Sequence, residues 1–274
     1  MRLWLGLALL LPLAAGAVAA PWIQAALGHD PFTPDLFGRH GPPSADHPLG
    51  TDELGRDILL RVLFGARVSL LVGLSVAVAA TGLGAAVGLF AAWRGGWPDA
   101  ALMRVADGML ALPALPLLVV LAAVDTGRLG LPRGEAASDI ARLVVILTLF
   151  GWVGVARLAR AAALTELARD YVAAARVSGA GEARVLLRHV APNVAGPVLV
   201  AAALSVAGAI LAESALSFLG LGIQPPAPSW GNMLANAQEL VFSAPLAAVW
   251  PGLAILVAVA GCTLLADGLR QRVP

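Results

Sequence analysis

Apolar residues fall in six long runs along the chain, at 3–20, 68–93, 108–124, 140–159, 197–219 and 244–266, with polar stretches between them. Each run is close to the roughly 20 residues that carry a helix across a bilayer. The pattern predicts an all-α membrane protein with about six transmembrane helices. Composition agrees, since 59% of the 274 residues are hydrophobic and 13% are charged, against about 25% charged in a soluble domain. The first run has a second reading: Arg2, the apolar stretch after it and Gly16-Ala17-Val18-Ala19-Ala20 also have the form of a cleavable signal peptide. A retained helix is the expectation, and cleavage would leave the remaining topology unchanged.

Charge gives the runs a direction. With the N-terminus in the cytoplasm, the inner segments hold Arg2, Arg94, Arg104, Arg157, Arg160, Arg169, Arg176, Arg184, Arg188, Arg270 and Arg272. The outer segments hold the other seven arginines, among them Arg39, Arg56 and Arg67, with most of the acids, such as Asp30, Asp35, Asp46, Asp52, Glu53 and Asp57. This is a moderate positive-inside bias, placing both termini in the cytoplasm. Within the runs, Gly84 and Gly88 with Ala85 and Ala86 between them form a small-residue face suited to helix packing in lipid. Pro113 and Pro116 in the third run and Pro251 in the sixth are expected to kink their helices.

Several function classes are excluded or weakened. Net charge is +1 without a basic cluster, which argues against nucleic acid. Cys262 is the single cysteine and lies in an apolar run, so it is read as a packing residue. All basic side chains are arginine; a phosphate-binding loop of the Walker A type needs a lysine on the nucleotide phosphates, and there is none. Any ATP used must be hydrolysed by a partner.

The polar stretch 165–196, between the fourth and fifth runs, is too long for a tight turn and too short for a catalytic domain. Tyr171-Val172-Ala173-Ala174-Ala175-Arg176-Val177-Ser178 reads as a short helix, Gly179-Ala180-Gly181 as a break, and 182–190 as a second helix stopped before Pro192. An alanine-rich helix presents a narrow, smooth face able to enter a groove on another protein, with the arginines as polar edges.

This stretch resembles the Glu-Ala-Ala loop of bacterial ABC-importer permeases, with Ala173-Ala174-Ala175, Gly179 and Pro192 in the matching positions. It departs from the family at Ala173, where glutamate is usual, so one polar contact to the ATPase is in doubt. Two further segments narrow the resemblance to permeases of dipeptide, oligopeptide and nickel importers. They are His47-Pro48-Leu49-Gly50-Thr51-Asp52-Glu53-Leu54-Gly55-Arg56-Asp57 and Glu213-Ser214-Ala215-Leu216-Ser217-Phe218-Leu219-Gly220-Leu221-Gly222, the latter followed by Pro225-Pro226-Ala227-Pro228-Ser229-Trp230-Gly231-Asn232-Met233. With Gly65-Ala66-Arg67-Val68-Ser69-Leu70 and Asp267-Gly268-Leu269-Arg270, the resemblance covers nearly the whole chain.

The resemblance implies an inner-membrane permease subunit, not an enzyme, with an N-terminal helix and external segment at 1–66 and a five-helix core at 67–274. It implies a second, homologous permease subunit, cytoplasmic ATPases that bind ATP and magnesium, and an external solute-binding protein; this chain itself would hold no cofactor and no metal. Tyr171, Ala173, Ala174, Ala175, Arg176, Gly179, His189 and Pro192 would be the coupling residues, working by alternating access. Peptides are the broader expectation for substrate, although Arg176-Val177-Ser178-Gly179-Ala180-Gly181 after a trio without glutamate leans slightly to the nickel branch.

Read for their own chemistry, the outer segments suit a turn held by Asp/Arg pairs around Gly50 and Gly55, and a stiff proline loop ending with Trp230 at the membrane interface. Glu213, in the outer half of the fifth run, is a pathway or packing candidate, with a hydrogen bond to a neighbouring helix favoured. Asp107 is expected to pair with Arg104, and Asp267 to be solvated. His29, His40 and His47 match no compact ligand spacing and are read as surface residues; His189 is read as a partner contact. An intramembrane enzyme lacks a nucleophile, acid pair or metal triad in this sequence, and an autonomous channel would conduct without partners.

Overall fold

The structure, a computed structural model, describes residues 1–124, 134–235 and 244–272. Described secondary structure is helical apart from one isolated bridge between Thr51 and Asp57. Helix α1 spans Arg2–Leu27 and ends where Gly28 turns left-handed and its N–H bonds to Gln24. Helix α2, Ile58–Arg94, is capped by Asp57, whose side chain accepts from the Leu60 N–H at 2.8 Å. At 37 residues it is about 55 Å long, well beyond the roughly 30 Å hydrocarbon core. Helices α3, Gly96–Ala111, and α4, Ala114–Ala123, are followed by α5, Ala136–Leu167. Then come α6, Asp170–Val177, α7, Glu182–Val185, α8, Ala191–Phe218, and α9, Pro245–Arg270.

The expected third span is broken. Leu112 precedes Pro113 and is extended, at φ −82° and ψ 141°, because the proline ring excludes the helical region for the residue before it. Helices α3 and α4 therefore meet at an 87° bend. That break agrees with the kink expected at Pro113, whereas the expected stop before Pro192 is overturned. The chain runs from α7 through a π turn at Leu186–Val190 into α8, with Pro192 in the first turn of α8. A wide turn makes room for a ring that cannot donate a backbone hydrogen bond. The boundary at 66/67 falls inside α2.

Packing fixes the relative directions of the helices. Along α2, Gly84 lies against Trp152 and Gly88 against Ala156 and Arg160 of α5, so these two helices run parallel. Gly73 meets Ile210 while Ser69 meets Glu213, so α8 runs antiparallel to α2. Gly6 of α1 faces Gly261 and Leu265, and Gly268 faces Leu3, so α1 and α9 are antiparallel. Since α2 and α5 are parallel, the bent α3–α4 pair must carry the chain back across the bundle. Taken as one span, the pair gives six candidate crossings among the described residues. The starts of α1 and end of α9 then share one end, where Arg2 bonds Asp267 at 2.9 Å; Asp267 is paired rather than merely solvated.

The helices are apolar all round, and Leu71, Val78, Val120, Val145 and Leu256 face outward, as expected where the surroundings are lipid. Cys262 is buried among small neighbours on α9. Asp107 pairs not with Arg104 but with Arg157 of α5, at 3.3 Å, because α3 lies beside α5. Arg160 forks onto both oxygens of Asp99 at 2.5 Å.

The opposite end is closed by 28–57 and 219–235. Asp52 accepts from the Leu54 and Arg56 N–H groups, and its second oxygen takes Arg56 at 2.8 Å and Arg61 at 3.2 Å. Gly50 and Gly55 are left-handed in this turn, at φ 80° and 75°. His47 is not simply a surface residue: Nδ1 sits 2.9 Å from the buried Asp57 carboxylate and its ring lies on that of His29.

Candidate functional site

The short helix α6 stands at the end of the bundle that carries Arg2 and Asp267. Arg169 is extended before it, and after Val177 the Ser178 hydroxyl bonds back to the Ala174 carbonyl at 2.9 Å. Gly179 then takes φ 85°, a conformation that L side chains rarely adopt, and Ala180 N–H closes the turn on Ala175. One face of α6 is sealed: Val172 is fully buried against Val185, Leu186, Val190 and Ala163. The other face carries exposed Ala173, Ala174 and Val177, the last 89% exposed, and Leu187, in the π turn that follows α7, is 70% exposed.

Polar contacts brace this surface from within. Arg176 forks onto Glu182 at 2.9 and 3.1 Å across the Gly179 turn. That bond holds the Glu182 carboxyl below its usual range and the guanidinium above its own. Arg176 is thus occupied within the chain rather than offered as a free polar edge. The Tyr171 hydroxyl donates to Glu166 at 2.6 Å and receives Asn193 Nδ2 at 3.1 Å; Asn193 also donates to the His189 carbonyl at 2.7 Å. Burial, then the bond to Glu166, pushes the Tyr171 hydroxyl above its ordinary pKa. Pro192 is exposed beside Tyr171, lining a cavity of about 420 Å³ with Glu166, Arg169, Asn193 and Arg272.

Tyr171, Ala173, Ala174, Ala175, Arg176, Gly179, His189 and Pro192 are therefore brought together at one end, tied to both α5 and α8. Tyr171→Phe is expected to loosen that tie by about 1 kcal/mol. The check is a thermal melt with amide exchange across 170–190, where faster exchange is expected and an unchanged pattern would count against the tie.

Glu213 lies far from this surface, toward the opposite end. It is fully buried, with Ser217 donating to Oε1 at 2.7 Å and Ser69 of α2 donating to Oε2 at 2.9 Å. The two serines in turn receive backbone N–H groups of the following loop, Ile223 on Ser217 and Trp230 on Ser69. Trp230 is not at an interface with lipid: it is fully buried, and its indole N–H reaches the Val62 carbonyl at 3.0 Å.

Sequence reasoning missed the neighbours that hold this end. Asp139 and Arg142 on α5 are buried 3.4 Å apart; Arg142 donates to the Leu221 and Gly222 carbonyls, and Gln224 N–H donates to Asp139. Their i,i+3 spacing at the start of an apolar run was the available signal. At the end bearing α6, the exposure of Val177 and Leu187 was missed, although each is a branched apolar residue within a polar stretch.

Residues 84–273 match the family described as the binding-protein-dependent transport system inner membrane component. The chain is 42% identical to the di/tripeptide transport system permease protein DppC of Pseudomonas aeruginosa, covering 97% of this chain and 85% of that protein. It is also 42% identical to the dipeptide transport system permease protein DppC of Escherichia coli, covering 83% and 72%. The oligopeptide transport system permease protein OppC of Bacillus subtilis is 34% identical over 97% of this chain and 83% of its own length. A six-crossing apolar bundle and a family match across most of its length lead to one conclusion: the chain belongs to the family of inner-membrane components of binding-protein-dependent transport systems.

Proposed function

We propose that this chain forms, with a second homologous permease subunit, the translocation pathway of an ATP-driven importer of di- or oligopeptides. The observation that carries the substrate class is the similarity, over 83–97% of the chain, to permeases named for dipeptides, tripeptides and oligopeptides. The end bearing α6 is the cytoplasmic one, with both termini there, which the excess of arginines on that side supports. The face of Ala173, Ala174 and Val177, together with exposed Leu187, enters a cleft of a cytoplasmic ATPase that binds ATP and magnesium. Because Ala173 offers no carboxylate, that contact is mainly apolar. Val172 and the Tyr171 bonds transmit the push to α5 and α8, and the spans rock to alternate access. An external solute-binding protein hands substrate to the opposite end, where 28–57 and 219–235 lie.

Two experiments test this. Cells deprived of the chain are expected to lose uptake of a labelled dipeptide, regained on complementation, with nickel uptake unaffected; dependence of nickel uptake alone would overturn the substrate class. Val177→Asp with Leu187→Asp changes only exposed positions and is expected to weaken co-purification of the ATPase about tenfold or more. Full retention of the ATPase by that variant would remove the assignment of the coupling face.

A further inference from the structure

A groove of about 540 Å³ runs between α1 and α2 on the outside of the bundle. Its walls include Ala14, Val18 and Trp22 of α1 and Leu71 and Leu74 of α2, with Arg67 at one end. Ala14 is exposed, Val18 is 63% exposed and Trp22 69%, so the groove opens outward. Arg67 stands at the edge of the apolar run that begins at Val68, and Trp22, near the end of α1, lines the same groove. Both residue types are at home where hydrocarbon gives way to headgroups. From Arg67 to Leu74 the groove extends about 10 Å toward the middle of the bilayer.

Arg67 differs from the arginines around it. Arg56 and Arg61 are buried on Asp52, and Arg142 lies against Asp139. Arg67 is exposed, has no carboxylate partner among the described residues, and holds its guanidinium carbon 5.7 Å from the centroid of the Phe64 ring. Its forked donors are left for an anion. In a bilayer the anion at this depth is a phosphodiester, which a guanidinium binds through two parallel hydrogen bonds. The small side chain of Ala14 leaves space below it for an acyl chain.

We propose that the α1–α2 groove is a phospholipid site, with the lipid phosphate on Arg67 and one acyl chain laid along Val18, Leu71 and Leu74. The lipid belongs to the leaflet at the end that carries residues 28–57. Occupied, it fills the seam between the first helix and the rest of the bundle. The proposal is independent of which solute the importer carries and of how the ATPase docks.

The test uses the assembled transporter in mild detergent, titrated with phosphatidylglycerol and read by native mass spectrometry. Arg67→Gln is expected to weaken retention of one lipid about tenfold or more, Arg67→Lys less. Ala14→Phe, at an exposed position and leaving the charge in place, is expected to weaken it comparably by filling the groove. Diacylglycerol, lacking the phosphate, is expected to bind the wild type no better than Arg67→Gln binds phosphatidylglycerol, and millimolar inorganic phosphate is expected not to displace the lipid. A photoreactive-acyl phosphatidylglycerol is expected to label 14–22 and 67–74. Wild-type retention by both Arg67→Gln and Ala14→Phe, displacement by inorganic phosphate, or cross-linking from Leu71→Cys to a second permease subunit in place of lipid would each overturn the site.

Discussion

Replacing Gly88 with leucine is expected to abolish a folded, monodisperse protein, and replacing it with alanine to lower stability by about 1–3 kcal/mol. A Cβ at position 88 would collide with the Ala156 carbonyl oxygen and meet the Arg160 backbone nitrogen at 2.8 Å; one turn earlier, a Cβ at 84 would meet the Trp152 oxygen at 2.5 Å. These obstacles are backbone atoms, which cannot rotate away as a side chain can. Lipid adds to the cost, since helices in a bilayer associate through close van der Waals contact and gain little from leaving apolar surroundings. Separating α2 from α5 would also pull α5 away from α6, because Ala159 and Ala163 pack in the same cluster as Val172. The control is Gly82→Leu on the same helix, where a Cβ meets nothing and the change is expected to stay within about 0.5 kcal/mol. Size exclusion and thermal unfolding in detergent decide it, and equal melting of the 82 and 88 leucine variants would sink the packing argument.

The second large effect is expected at Glu213. Leucine there removes the acceptor shared by Ser69 and Ser217 and leaves buried hydroxyls unsatisfied, at roughly 3 kcal/mol or more. The damage should spread along the network, since the Ile223 and Trp230 N–H groups rest on those same two serines. Amide exchange at 223 and 230 is therefore expected to accelerate along with the drop in melting temperature. Glu213→Gln keeps one carbonyl oxygen as acceptor, and a serine hydroxyl can turn to accept from the new amide, so about 1 kcal/mol is expected. Unchanged exchange at both amides in the leucine variant would show that Glu213 does not hold the loop.

Membrane character and the number of crossings were legible because hydropathy is a local property summed over about 20 residues. The packing role of Gly84 and Gly88 was legible for a similar reason, as small residues at helical spacing have one dominant use in lipid. Partners of individual charges were not. Asp107 has Arg104 on its own helix face, yet Arg157 reaches it from α5, and spacing along one helix says nothing about a neighbour's approach. Trp230 was misplaced because an indole beside an apolar run suits an interface, whereas here its N–H finds the Val62 carbonyl inside the bundle. That residues 171–192 form one compact unit of short helices was legible through their order along the chain. Their division into an inner face on Val172 and an outer face on Val177 was not, since an eight-residue helix has too few turns for a pattern to emerge.

By itself the sequence determined the solvent, the helical class, the six apolar runs, the lack of a lysine for nucleotide phosphates and the placing of a polar stretch between the fourth and fifth runs. All of these are properties of composition or of short windows, which no folding event can change. Only the tertiary structure decided that Pro192 lies inside a continuous helix, that Glu213 is shared between α2 and α8 through Ser69, and that Arg67 is left facing a groove. Each depends on which distant backbone comes within a few ångströms, and side chains far apart in the chain settle that together.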